Sequence, residues 1–164
     1  MDDFQKMLAE LAESVAASNA EREARRFAAE SARNQKNALA GQAAGNLLSS
    51  AAVPIIARII EALKIGGEAE SVKIDNIDFI VTPPVQSGDL KKSIGVGVTS
   101  AVSPEDGETF LIVHCGVAVS QQRSQIVLRC GCHNSYGPTA DPAMVTKWLE
   151  AAIGDKVAGA YLRA

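Results

Sequence analysis

Residues 83–94 read Pro-Pro-Val-Gln-Ser-Gly-Asp-Leu-Lys-Lys-Ser-Ile, between two segments whose apolar residues alternate with period two. Paired prolines cannot donate to a strand ladder, so they end the incoming strand. Ser87-Gly88 is a turn pair, Asp89 can cap one short helical turn, and Ser93-Ile94 opens the next strand. The stretch therefore joins strand to strand, and the chain on both sides reads outward from it.

Downstream, Ile94, Val96, Val98 and Val102 share one strand face while Gly95, Gly97, Thr99 and Ala101 share the other. The second face is small enough to invite close approach by a helix or a neighbouring subunit. Residues 103–108 form a polar turn. Residues 109–119 place Leu111, Val113, Cys115, Val117 and Val119 together, and residues 125–132 do the same for Ile126, Leu128, Cys130 and Cys132. Upstream, Val72 and Ile74 alternate in one phase and Ile77, Phe79 and Val81 in the other, which makes Asp75-Asn76 a bulge or a tight turn. Four strands with short connections predict an antiparallel meander.

Helical periods flank the strands. Pro54 suits a first helical turn, and Ile55, Ile56, Ile59, Ile60 and Leu63 face one way, opposite Arg58, Glu61 and Lys64, until Gly66-Gly67 ends the helix. Asp141-Pro142 opens the last helix, in which Val145, Trp148, Leu149, Ala152, Ile153, Val157 and Tyr161 recur at helical spacing. Residues 2–40 lack proline and glycine and predict a long helix, acidic early (Asp2, Asp3, Glu10, Glu13) and basic late (Arg25, Arg26, Arg33, Lys36). Phe4, Met7, Leu8, Leu11 and Val15 form its one apolar stripe, beyond which only Phe27 and Leu39 are large and apolar. Glu21-Arg25 and Arg26-Glu30 are expected i,i+4 pairs, and no heptad is sustained. The fold class is α+β: a four-stranded antiparallel meander packed by two helices, with a helical arm at residues 1–44 and the α+β domain at residues 45–164.

With 164 residues the chain can bury one full core. A net charge of −3 and an isoelectric point near 5.4 give no electrostatic footprint for specific nucleic-acid binding, and 4% aromatics leave few rings for stacking. Asp2 and Asp3 stand where an export signal carries positive charge, so a cytoplasmic start is expected. The uncharged run at residues 37–57 reads as too polar for a membrane span, and no membrane partner is expected.

His114-Cys115 and Cys130-Gly131-Cys132-His133 offer zinc-ligating residue types. Strand alternation sends the three cysteines into the core and the two histidines to the other face, and Cys-x-Cys is tighter than the usual ligand gap. No metal or cofactor is therefore expected. No phosphate-binding loop, His-Glu-x-x-His or nucleophile elbow occurs, so the chain reads as non-catalytic.

Pro84, Val85, Ser87, Gly88, Leu90, Lys91, Ser93 and Ile94 resemble the Pro-Val-x-Thr/Ser-Gly-x-Leu-Arg/Lys-x-Ser-Ile signature of small tail-completion and head-to-tail joining (neck) proteins of tailed bacteriophages. The order of elements over residues 50–162 is similar too. Tyr136-Gly137-Pro138-Thr139 loosely resembles that family's aromatic-Gly-Thr step with an inserted proline, and Asp141-Pro142 its helix opening. The arm is longer than in the family, and Asn134 and Ser135 stand where an acidic residue is usual. The resemblance implies a structural virion protein, assembled in the host cytoplasm as a homo-oligomeric ring at the tail end or head-tail junction beside other virion proteins. Asp89, Lys91 and Lys92 are then candidate interface charges. Two other readings are a cellular adaptor that dimerises through its arm and binds a protein partner, and a metal- or thiol-dependent module built on the cysteines.

Overall fold

The structure is a computed structural model and describes residues 2–87, 90–120 and 126–163. Two compact units divide the chain, Met1–Ala38 and Leu39–Ala164. Helix α1 spans Asp3–Leu47 and carries Gly41 and Gly45 without interruption. Each glycine costs a helix up to about 1 kcal/mol relative to alanine. Burial of Ala40, Ala44 and Leu47 on the same stretch offsets that cost. Of the two expected ion pairs on α1, Arg25–Glu21 forms at 2.6 Å and Arg26 with Glu30 does not.

A π-helical turn, Leu48–Ala52, joins α1 to helix α2, Val53–Leu63. Pro54 accounts for it: the residue has no N–H for the carbonyl four positions back, and its ring crowds that carbonyl. Widening the preceding turn relieves both problems, and the Ser50 hydroxyl donates to the Asn46 carbonyl at 2.8 Å. At its other end α2 stops at Lys64 rather than at Gly66-Gly67. Lys64 adopts φ 53°, and the Ile65 N–H reaches back to the Ile60 carbonyl at 3.1 Å, closing the last turn. The continuous helical stretch Asp3–Leu63 includes an 18-residue window of mean hydropathy 1.5, long and apolar enough to cross a membrane by length and composition. This differs from the expectation for residues 37–57, and 33% of the window is buried within the protein.

The fold class is α+β as expected, and the sheet has six strands: β1 Glu70–Ile74, β2 Ile77–Val81, β3 Val85–Ser87, β4 Leu90–Val102, β5 Thr109–Ser120 and β6 Ile126–Tyr136. Two more strands appear than the sequence suggested. Asp75 and Asn76 both have positive φ, 48° and 65°, which makes a tight two-residue hairpin turn and splits the first segment into β1 and β2. Val85–Ser87 pairs separately with the start of β4. The order is β1-β2-β4-β5-β6, all antiparallel, with β3 also on β4.

One sheet face carries Ile94, Val96, Val98, Leu111, Val113 and Val117 against α2 and the C-terminal helices, α3 Pro142–Ala152 and α4 Ala158–Arg163, which flank a second π-helical turn at Ile153–Val157. Asp141 caps α3, its carboxylate accepting from the Ala143 N–H at 3.0 Å. Ile55, Ile56, Val145, Leu149 and Val157 are buried in that layer, while Leu63 at the end of the α2 stripe is exposed. The opposite face holds a second cluster, Ile74, Phe79, Val81 and Ala118 with Ile126 and Leu128 half-buried beside them. It spans β1, β2, β5 and β6 because the sheet curls until its two end strands approach each other.

Candidate functional site

The hairpin at residues 83–94 is built by two prolines and one threonine. Pro83 and Pro84 break the ladder between Val81, which pairs with Gly95, and Val85, which pairs with Lys92. Three residues therefore face two on β4, and the strand is bent at that bulge. Thr82 fixes the bend. It is fully buried, its N–H donates to the Ile94 carbonyl at 2.9 Å, and its Oγ1 accepts from the Ile94 N–H at 3.0 Å. The reading of residues 83–94 missed Thr82, although a threonine directly before Pro-Pro at a strand end is a signal for such a clamp.

β4 begins at Leu90, not at Ser93-Ile94, and Ser87 is the ladder partner of Leu90. The helical turn expected at Asp89 falls, with Gly88, outside the described residues. Ser93 and Ile94 are buried, Leu90 is half-buried against the helix-covered core, and Pro84 and Val85 are exposed. The two lysines part company because adjacent strand residues face opposite ways. Lys91 is exposed and lines a cleft of ≈ 210 Å³ with Pro84, Ser93, Glu70 and Ser120. Lys92 turns to the C-terminal helix instead: its Nζ donates to the Tyr161 carbonyl at 2.7 Å and lies 4.7 Å from the centre of the Tyr161 ring. Lys92 is thus an intramolecular tether between the hairpin and α4, and the tyrosine at the end of the helical stripe is its receptor.

The cysteines stay on the helix side, but Cys130 is exposed and Ile126 and Leu128 face the other way, which corrects the sequence reading of one shared core face. At Gly116 the β5–β6 register shifts: Cys115 pairs with Cys132 but Val117 pairs with Arg129, leaving Cys130-Gly131 as a bulge with Cys130 at φ 53°. The bulge reverses the alternation. Ile126 and Leu128 join the curled face, Cys132 is half-buried opposite Cys115, and Cys130 is exposed with its thiol 3.6 Å from the Lys156 carbonyl. Burial, with Cys132 beside it, pushes the Cys115 pKa up to about 12, so this thiol is not a nucleophile at neutral pH.

His114 and His133 are ladder partners with ring centroids 6.1 Å apart, and Phe79 lies 6.2 Å from His114 on its other side. The His114 Nε2 is buried without a hydrogen-bond partner among the described residues. Burial and the neighbouring His133 lower the His114 pKa below its ordinary value. Among the described residues, no group of three or more His, Cys, Asp or Glu is placed to hold a metal ion. Comparison with protein-family models, curated proteins and solved structures gives no match for this chain.

Proposed function

We propose that this chain is a non-catalytic structural protein of a phage virion, assembling as a ring at the tail end or the head-tail junction. The observation that carries the reading is the arm: Phe4, Met7, Leu8, Leu11 and Val15, the largest apolar residues of its first half, are between 44% and 62% exposed on a helix. Five such side chains on one stripe call for a protein surface that another molecule supplies. The hairpin adds support, because its phage-like residues form a braced strand connection that leaves Pro84, Val85 and Lys91 at the surface. Lys91 keeps its candidacy as an interface charge, whereas Lys92 is engaged within its own chain.

The test is the solution mass of the full chain by light scattering, repeated on a chain that starts at Leu39, with electron micrographs of any oligomer. A ring of several copies that is lost on removing residues 1–38 is the expected result. A dimer that falls to monomer on the same deletion favours the cellular adaptor, and a monomer that stays one beside other virion proteins overturns the ring.

A further inference from the structure

The bulge on β6 carries a residue that its geometry does not ask for. Cys130 and Gly131 together oppose Gly116, and Cys130 is the one in the left-handed conformation, at φ 53°, with its side chain exposed. A glycine there would hold the same backbone without strain. Strain kept at a surface position with no packing gain points to a use for the side chain.

The bulge also sets where that side chain stands. A Cβ on Gly131 would meet Leu128 Cδ2 at 3.2 Å, so Gly131 faces the curled side of the sheet and the cysteines before and after it face the helices. Val117 pairs with Arg129 and Cys115 with Cys132, so three steps of β6 cover what two steps of β5 cover. Two extended residues span about 6.8 Å, the upper end of the Cα separations that a disulfide bridges, and the contraction draws Cys130 and Cys132 inside it. The Cys132 thiol leans back along the chain to 3.9 Å from the Cys130 carbonyl oxygen.

Both thiols line one cleft of ≈ 480 Å³, shared with the half-buried Trp148 and the exposed Asp155 and Lys156. The volume is that of a small-molecule site, and one charge of each sign suits a zwitterionic solute. Cys115 lies behind, hydrogen-bonded to Cys132, but it is fully buried and closed to any solute.

We propose that Cys130 and Cys132 are a thiol–disulfide exchange site for a small, peptide-like disulfide, with Cys130 as the attacking thiol and Cys132 as the resolving one. The Cys130 thiolate attacks one sulfur of the solute disulfide, forming a mixed disulfide and expelling one solute thiolate. The Cys132 thiolate then attacks the Cys130 sulfur, which closes the Cys130–Cys132 bond and expels the second. The two protons given up by the cysteines end on the two solute thiols, so the protein dithiol is oxidised and the solute disulfide reduced. The exchange is stoichiometric. It adds a redox response to a non-catalytic chain and does not depend on the ring.

The test is incubation of the reduced full chain in glutathione buffers of rising oxidised-to-reduced ratio, followed by acid quenching, alkylation and peptide mass mapping. Cys130 and Cys132 share the tryptic peptide 130–147, and Cys115 lies in another, 93–123. Loss of two hydrogens within 130–147, with Cys115 still reduced, is expected. Cys132→Ser should instead trap glutathione on Cys130, and Cys130→Ser should slow the reaction of the native chain roughly 10-fold or more. Cys115→Ala should leave the exchange unchanged, with circular dichroism of each variant separating lost exchange from lost folding. A glutathione adduct that persists on Cys130 of the unaltered chain overturns the proposal, as does a bond from Cys132 to Cys115 or from Cys130 to a second chain. Oxidation of the pair only after unfolding, or a Cys130→Ser chain that reacts as fast as the unaltered one, overturns it as well.

Discussion

The two faces of the sheet solve the same problem by different means. The helix-covered face is closed by adding a layer: Ile94, Val96, Val98, Leu111 and Val113 meet Ile55, Ile56, Val145 and Leu149. The other face is closed by bending. β1 is brought toward β6, and Phe79 and Val81 lean across their ladder partners Gly97 and Gly95. A layer needs large, branched side chains that interdigitate. A bend needs small residues at its centre, so that a ring from the neighbouring strand can lie over bare backbone. Residues with no side chain thus belong to one core as much as isoleucine belongs to the other.

Deleting volume should break the layered face first. Ile56 is fully buried at the centre of the α2 contact, and Ile56→Ala is expected to lower unfolding free energy by about 2–5 kcal/mol, read from urea denaturation. The same assay on Leu63→Ala, at the exposed end of that stripe, should change little. Equal losses at the two sites would mean that α2 does not present a single buried face.

The bent face should break when volume is added. A Cβ at Gly97 would stand 2.9 Å from the Asp78 carbonyl oxygen and from the Phe79 ring, with backbone that cannot give way. Gly97→Ala is expected to cost about 1–3 kcal/mol. Gly137→Ala, where a Cβ meets nothing, serves as the control. Because part of the clash is with the Phe79 ring, the double variant Gly97→Ala, Phe79→Leu should cost less than the two single losses added together. Strict additivity would show that the Asp78 carbonyl, and not the Phe79 ring, carries the cost at Gly97.

This difference also explains what was legible beforehand. Period-two and period-3.6 patterns of large residues mark surfaces that a layer will cover, so α2, α3, β4 and β5 were readable from Ile56, Leu149, Val96 and Val113. The bent face has no such signature. Gly95 and Gly97 read as a surface awaiting a partner because the ring that covers them comes from a strand whose pairing the sequence does not state. The bulge at Cys130 is equally silent: alternation from Ile126 to Cys132 looks unbroken, and only the shift opposite Gly116 sends Cys132 to the helix side. At the hairpin, the prolines announced the break, but the Thr82 clamp and the Lys92–Tyr161 tether depend on partners 12 and 69 residues away.

Acid should find the bent face before the layered one. The lowered His114 pKa means that the unfolded chain binds a proton more readily than the folded one, so stability is present above the ordinary histidine range and is lost as pH falls through about 6.5. Thermal unfolding from pH 8 to pH 5 should show this slope, and His114→Asn should flatten it. A slope unchanged in the variant would assign the dependence to other groups.

The smallest effect, and the one that decides where the two faces exchange residues, belongs to Cys130. Its φ of 53° is a conformation that costs an L residue about 1–2 kcal/mol and a glycine nothing, and its side chain is exposed. Cys130→Gly relieves that cost but gives the unfolded chain more freedom, so the net change should lie between zero and a gain of about 1 kcal/mol. Cys132→Gly, in the ladder opposite Cys115, gains no such relief and should destabilise. Alkylation of the native protein should follow the same geography: Cys130 reacts first, Cys132 more slowly, and Cys115 only on unfolding, because its burial removes both access and thiolate. If Cys130→Gly instead destabilised as much as Cys132→Gly, the register would run unbroken through Gly116, and Ile126 and Leu128 would lie under the helices rather than on the bent face.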